Sequence, residues 1–163
     1  MILVEADVSD DWDSRTDWPA LADRSVLAAI RHSRHAALAG ADTEISVKFT
    51  SDAEVHALNA EWRGKDKPTN VLSFPMAEPD ALAHAPMLGD IVLARGVCAA
   101  EARDKRIPVE SHAAHLVVHG MLHLLGYDHE TSDADAEEME GIERRALATL
   151  GIADPYQQHE VQT

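Results

Sequence analysis

The sequence predicts a single α+β domain of four short strands and about five helices, with one helix buried. Three observations carry that prediction. The segment TEISVKFT (Thr43–Thr50) alternates polar and apolar residues, as a half-buried strand does. Ser51-Asp52-Ala53-Glu54 follows at once and matches a capping box, which opens a helix. Between about 108 and 125, Leu116, Val117, Val118, Met121, Leu122, Leu124 and Leu125 occupy most sides of a helix, and a helix apolar nearly all round is buried. With 163 residues, 45% of them apolar, there is material for one core, so the chain is taken as one domain, 1–163.

In order along the chain, residues 2–8 alternate weakly and read as the first strand. Pro19 starts an Ala- and Leu-rich helix to about Ala39, ended by Gly40. After the strand at 43–50, the helix opened by Ser51 reaches about Trp62. A polar loop, RGKDKPTN (63–70), leads to the short strand Val71–Phe74, stopped by Pro75. Pro75, Pro79 and Pro86 make 76–88 a long loop. Ile91–Ala94 is the fourth strand. A helix from about Gly96 to Arg106 follows, and Pro108 sits as the first residue of the buried helix. Arg103, Lys105 and Arg106 complement the dipole at the end of the helix that carries them. The last helix, about 132–150, has a core stripe of Met139, Ile142, Ala146, Leu147 and Leu150. The chain from about 155 to 163 is expected to be a flexible tail.

The formal net charge is −15, which repels nucleic acid globally but leaves room for a local basic surface. The acidic run Glu130, Asp133, Asp135, Glu137, Glu138, Glu140 and Glu143 reads as the solvated face of the last helix. No apolar run is long enough to cross a bilayer, so no membrane is expected as a partner. The first seven residues lack the basic-then-apolar order of a secretory signal. Cys98 is the only cysteine, is expected in the core, and fits a reducing cytoplasm.

The chemistry gathers in HGMLHLLGYDH (119–129). His119 and His123, four apart, share one helical face, and Gly126 can end that helix and return His129 to the same point. Three neutral nitrogen ligands with a fourth position open are the signature of a catalytic zinc ion, although another transition metal would also fit. His112 and His115 lie on nearly the same face as alternative ligands, with His115 read rather as a support for the others. His32, His35, His56, His84 and His159 have no such spacing and are expected at the surface. The spacing H-x3-H-x5-H, with Gly126 seven after His119, is that of metzincin peptidases, with one departure. Gly120 stands where those enzymes carry the glutamate that acts as general base. A metallopeptidase is therefore a rival reading with this glycine against it, and a non-catalytic assembly factor with a structural metal is another.

Taken with RGKDKPTNVLSFP (63–75), the strand GDIVLA (89–94) and the acidic DAEEME (135–140), the histidine motif resembles the YbeY family of bacterial rRNA maturation factors. The resemblance runs from about Ile45 to Tyr156. It implies a mixed, mainly parallel four-stranded sheet flanked by helices, zincin-like in arrangement. It implies that His119, His123 and His129 hold a metal, usually zinc, and that Arg63 is needed for activity. The implied substrates are single-stranded regions of ribosomal RNA near the end of the small-subunit RNA. The implied partners are a small-subunit ribosomal protein and an assembly GTPase. On this reading Arg63 and His119 are the catalytic residues, and Arg63 meets the charge that develops on the phosphodiester oxygens. Lys65 and Lys67 hold flanking phosphates. Asp128 either orients a ligand histidine or serves as a turn residue.

Overall fold

A computed structural model describes residues 2–78 and 80–156. Four strands, β1 (Ile2–Val8), β2 (Thr43–Thr50), β3 (Val71–Pro75) and β4 (Met87–Ala94), form one sheet in the order β1-β2-β4-β3. β1 and β2 are parallel, β2 and β4 are parallel, and β3 runs antiparallel on the edge. Five helices surround it: α1 (Trp18–Arg31), α2 (Asp52–Arg63), α3 (Arg95–Lys105), α4 (Val109–Leu124) and α5 (Asp133–Thr149). The α+β class and the mixed, mainly parallel sheet agree with the expectation.

The register explains the core. Val47 pairs with Ile91 and Phe49 with Leu93, so these side chains share one sheet face. With Val117, Met121, Met139 and Leu147 of α4 and α5 they form the main apolar cluster. The opposite face of β3 and β4, Leu72, Val92 and Ala94, packs with Val55 of α2 in a smaller cluster. β4 is thus buried on both faces, as its unbroken run IVLA requires. α4 lies against β3, β4 and the three helices α1, α3 and α5, and Gly120 lets it approach the sheet. A Cβ there would stand 2.9 Å from Ile91 Cγ2 and 3.1 Å from Ser73 Oγ.

Several boundaries differ from the sequence reading. α1 ends at Arg31, not near Ala39, and a separate 3-10 turn spans Ala36–Gly40. Ser33 Oγ donates to the Ile30 carbonyl at 2.7 Å, and the Arg34 amide donates to the Tyr127 hydroxyl at 2.8 Å, so side chains take over where the helix ladder would continue. β4 begins at Met87 rather than Ile91, because Gly89 accepts a φ of +149° within the ladder. The capping box is half formed. Ser51 Oγ accepts from the Glu54 amide, while the Glu54 carboxylate turns to Thr50 and Lys48. Pro108 caps α4 and Val109 is its first residue. Of the expected tail, Pro155 is buried and Tyr156 is hydrogen-bonded; residues 157–163, His159 among them, lie outside the described residues.

Candidate metal centre

α4 carries His119 and His123 on one face, with Nε2 atoms 3.1 Å apart. Gly126, at φ +98°, ends the helix. The Tyr127 amide reaches back to the Leu122 carbonyl and the Gly126 amide to that of His123, which is the Schellman closure. The turn delivers His129, whose ring centroid lies 5.2 Å from that of His119 and 5.3 Å from that of His123. One ligand atom from each of the three histidines lies within 4.8 Å of the others.

The donor set fits a metal ion. Two nitrogens at 2.0–2.1 Å from a tetrahedral zinc stand roughly 3.3–3.4 Å apart, close to the observed His119–His123 separation. The outer nitrogens are committed elsewhere. His123 Nδ1 donates to the Tyr127 carbonyl at 3.0 Å, and His119 Nδ1 donates to Glu143 Oε2 at 3.0 Å. Each bond selects the tautomer whose Nε2 lone pair faces the centre. Burial, then the neighbouring His119 and His129, push His123 down to about 4, so it is neutral at physiological pH.

Glu143 was hidden in the acidic run and read as solvated; it is 1% exposed. Its carboxylate accepts from His119, from His115 Nε2 at 3.1 Å and from the Tyr156 hydroxyl at 2.6 Å. Burial opposes its ionisation, but the bonds from His115 and His119 prevail and hold it well below the usual carboxylate range. The signal for it was present: Glu143 is four after Met139 and three and four before Ala146 and Leu147, within the core stripe. His115 therefore supports His119 through Glu143. His112 is not a ligand either, since its Nε2 lies 2.7 Å from Glu101 Oε1. Asp128 Oδ1 accepts from the Glu130 amide at 2.8 Å, as a turn residue does, and the carbonyl of Tyr127 orients His123.

Arg63 is the last residue of α2 and Gly64 follows in the left-handed region at φ +67°. The guanidinium donates to the Ser73 carbonyl on β3 and stands 5.7 Å from the Phe74 ring centre. Ser73 in turn donates its hydroxyl to the Gly120 carbonyl, next to His119. Arg63, edge strand and metal helix are thereby one hydrogen-bonded unit. Asn59, 2% exposed, anchors the loop beyond: its amide donates to the Lys67 carbonyl, and its own carbonyl accepts from the Lys65 amide. A groove of about 690 Å³ runs from Arg63, Lys65 and Lys67 to His119, His123 and His129. Spacing alone does not give this convergence, which the resemblance implies; the antiparallel edge strand makes it.

The geometry tells against peptide hydrolysis. A glutamate at position 120 would collide with Ile91 and Ser73. The edge of β3 is also occupied where an added peptide strand would pair: Arg63 takes the Ser73 carbonyl, Asn70 Oδ1 takes the Val71 amide, and Pro75 has no N–H.

Comparison with known proteins agrees with this arrangement. The family model described as Endoribonuclease YbeY matches residues 12–151. The endoribonuclease YbeY of Novosphingobium aromaticivorans is 52% identical over 161 residues, covering 94% of this chain and 95% of that protein. That of Erythrobacter litoralis is 56% identical over 152 residues, covering 90% and 89%. The solution structure of TM1509 from Thermotoga maritima superposes with a TM-score of 0.56 at 24% identity, over 93% of this chain and 92% of that one, and supports the fold.

Proposed function

Because the chain belongs to the endoribonuclease YbeY family, we propose that it hydrolyses single-stranded ribosomal RNA at the three-histidine centre, in maturation of the small-subunit RNA end and in RNA quality control. The observation that carries this reading is the groove that joins three convergent imidazoles to Arg63, Lys65 and Lys67. Its lining sets three cationic side chains against Asp128 and Glu130, in a chain whose net charge is −15.

The resident metal is proposed to be zinc, held by His119, His123 and His129; when bound, it lowers the pKa of water and polarises a phosphoryl oxygen. Hydrolysis adds the elements of water across one P–O bond, and negative charge gathers on the non-bridging oxygens. Arg63 meets that charge with a planar fork of donors already fixed by the Ser73 carbonyl. Lys65 and Lys67 hold flanking phosphates without reading sequence. Glu143 and the Tyr127 carbonyl keep two imidazoles oriented. Among the described residues no helix is long and apolar enough to cross a membrane, and the site of action is proposed to be the cytoplasm. The acidic balance favours assistance on the ribosome, with a small-subunit ribosomal protein and an assembly GTPase as the proposed partners.

Cleavage of a single-stranded RNA by Arg63→Ala and His119→Ala protein tests the scheme. Each variant is expected to lose about a hundredfold or more in kcat/KM, in keeping with loss of a transition-state donor or a metal ligand. Wild-type rates in both would overturn it.

A further inference from the structure

A second pocket, of about 450 Å³, adjoins the groove at His123 and is lined by Pro75, Met76, Ala77, Glu78, His123, Leu124 and Gly126. Pro75, His123 and Gly126 line both spaces, so the two adjoin at His123. Their chemistry differs. The arm on one side of the metal centre has Arg63, Lys65 and Lys67. Among the described residues, the lining of the other has no lysine or arginine, and Glu78 is its one carboxylate. Met76 is 59% exposed, and among the described residues only Trp62 is a more exposed large apolar side chain. Its amide donates to the Leu88 carbonyl at 3.0 Å, which fixes where the chain leaves the sheet.

We propose that this pocket receives the unstacked base of a nucleotide beside the scissile phosphodiester, a subsite that rests on the RNA-cleaving reading of the groove. The charge pattern selects the occupant. A phosphate would face Glu78 with no lysine or arginine among the described lining residues to balance it, whereas the groove on the other side sets Arg63, Lys65 and Lys67 against Asp128 and Glu130. A base is neutral and flat. Its face packs on the thioether of Met76 and the ring of Pro75, and its edge presents amino groups that the Glu78 carboxylate accepts. The volume lies in the range of pockets that take small organic ligands. The subsite also gives a physical reason for single-strand preference. A base in a duplex is stacked and paired, and must be withdrawn from both before it enters.

The test is a cycle between protein and substrate. In a short single-stranded oligoribonucleotide, bases are removed one position at a time. Binding to metal-free protein is measured by fluorescence anisotropy, and cleavage by metal-loaded protein is measured in parallel. Wild-type protein is expected to lose about tenfold in affinity and in kcat/KM at one abasic position next to the cleaved bond. Met76→Ala, a change at an exposed side chain, is expected to reduce that loss to less than about twofold. Equal sensitivity in both proteins, or no sensitive position, would overturn the subsite. A Met76→Ala effect seen on ribosomes but not on naked RNA would assign the patch to a protein contact and overturn it as well. If base-dependent binding persists while wild-type protein cleaves no RNA, the catalytic reading fails and the base pocket stands.

Discussion

Glu143 holds the least expected position in the molecule. It is a carboxylate inside the core, bonded to His119, His115 and Tyr156, in a helix whose other acids were read as a water-facing surface. Its place follows from the same periodicity that identified Met139 and Leu147, but charge masked it in a pattern sought among apolar residues. The three ligand histidines were legible because ligation demands a spacing that packing alone does not produce. Arg63 was legible only by resemblance, since nothing in its own neighbourhood announces the Ser73 carbonyl ten residues on. Glu143→Gln removes the charge and keeps the shape. It is expected to weaken metal binding by about 10–100-fold, with Glu143→Asp restoring part of the loss. Competition with a chromophoric chelator measures it, and an unchanged affinity in Glu143→Gln would contradict the orienting role.

Elements were legible where a single local cause dominates and blurred where a tertiary contact overrides it. The alternation of β2 is such a cause, and its span, Thr43–Thr50, is as expected. The end of α1 is set by Tyr127, far along the chain, and the start of β4 by a glycine whose backbone fits the sheet only in context. α3 shows the same dependence at its beginning. Ala94 offers it no side-chain cap, and Asp52, the first residue of α2, accepts from the Gly96 and Val97 amides at 2.8 and 3.1 Å instead. One helix start thus caps another. Asp52→Ala is expected to destabilise the protein by about 1–2 kcal/mol. Urea unfolding reads this as a lower midpoint at unchanged slope; an unchanged midpoint would deny the cap its role.

At the scale of the whole molecule, the acid–base balance links folding to the site. The ordinary value for His123 is 6.5, and burial with its histidine neighbours lowers it to about 4 in the folded chain. Between those values the unfolded chain holds a proton that the folded chain refuses, so stability falls as pH falls through that window. His112 is lowered too, first by burial, and acts in the same direction. Glu143 works on the other side of the scale. Its carboxyl is held below the ordinary 4.5, so its stabilisation is complete above that value and fades only at more acid pH. The melting temperature of metal-free protein is therefore expected to decline steadily from pH 6.5 towards 4, and a flat profile would contradict the buried neutral His123. The global charge of −15 is plain in the sequence, and the resemblance points to Arg63, Lys65 and Lys67, but the distance of that loop from the histidines follows only from the sheet topology.

The most direct measurement is a titration of metal-free protein with zinc, followed at each addition by cleavage of a single-stranded RNA. Cleavage should rise in proportion to bound ion and level off at one ion per chain, and protein lacking all three of His119, His123 and His129 should neither bind nor cleave. Full cleavage without stoichiometric metal, or undiminished cleavage by the triple variant, would contradict the account.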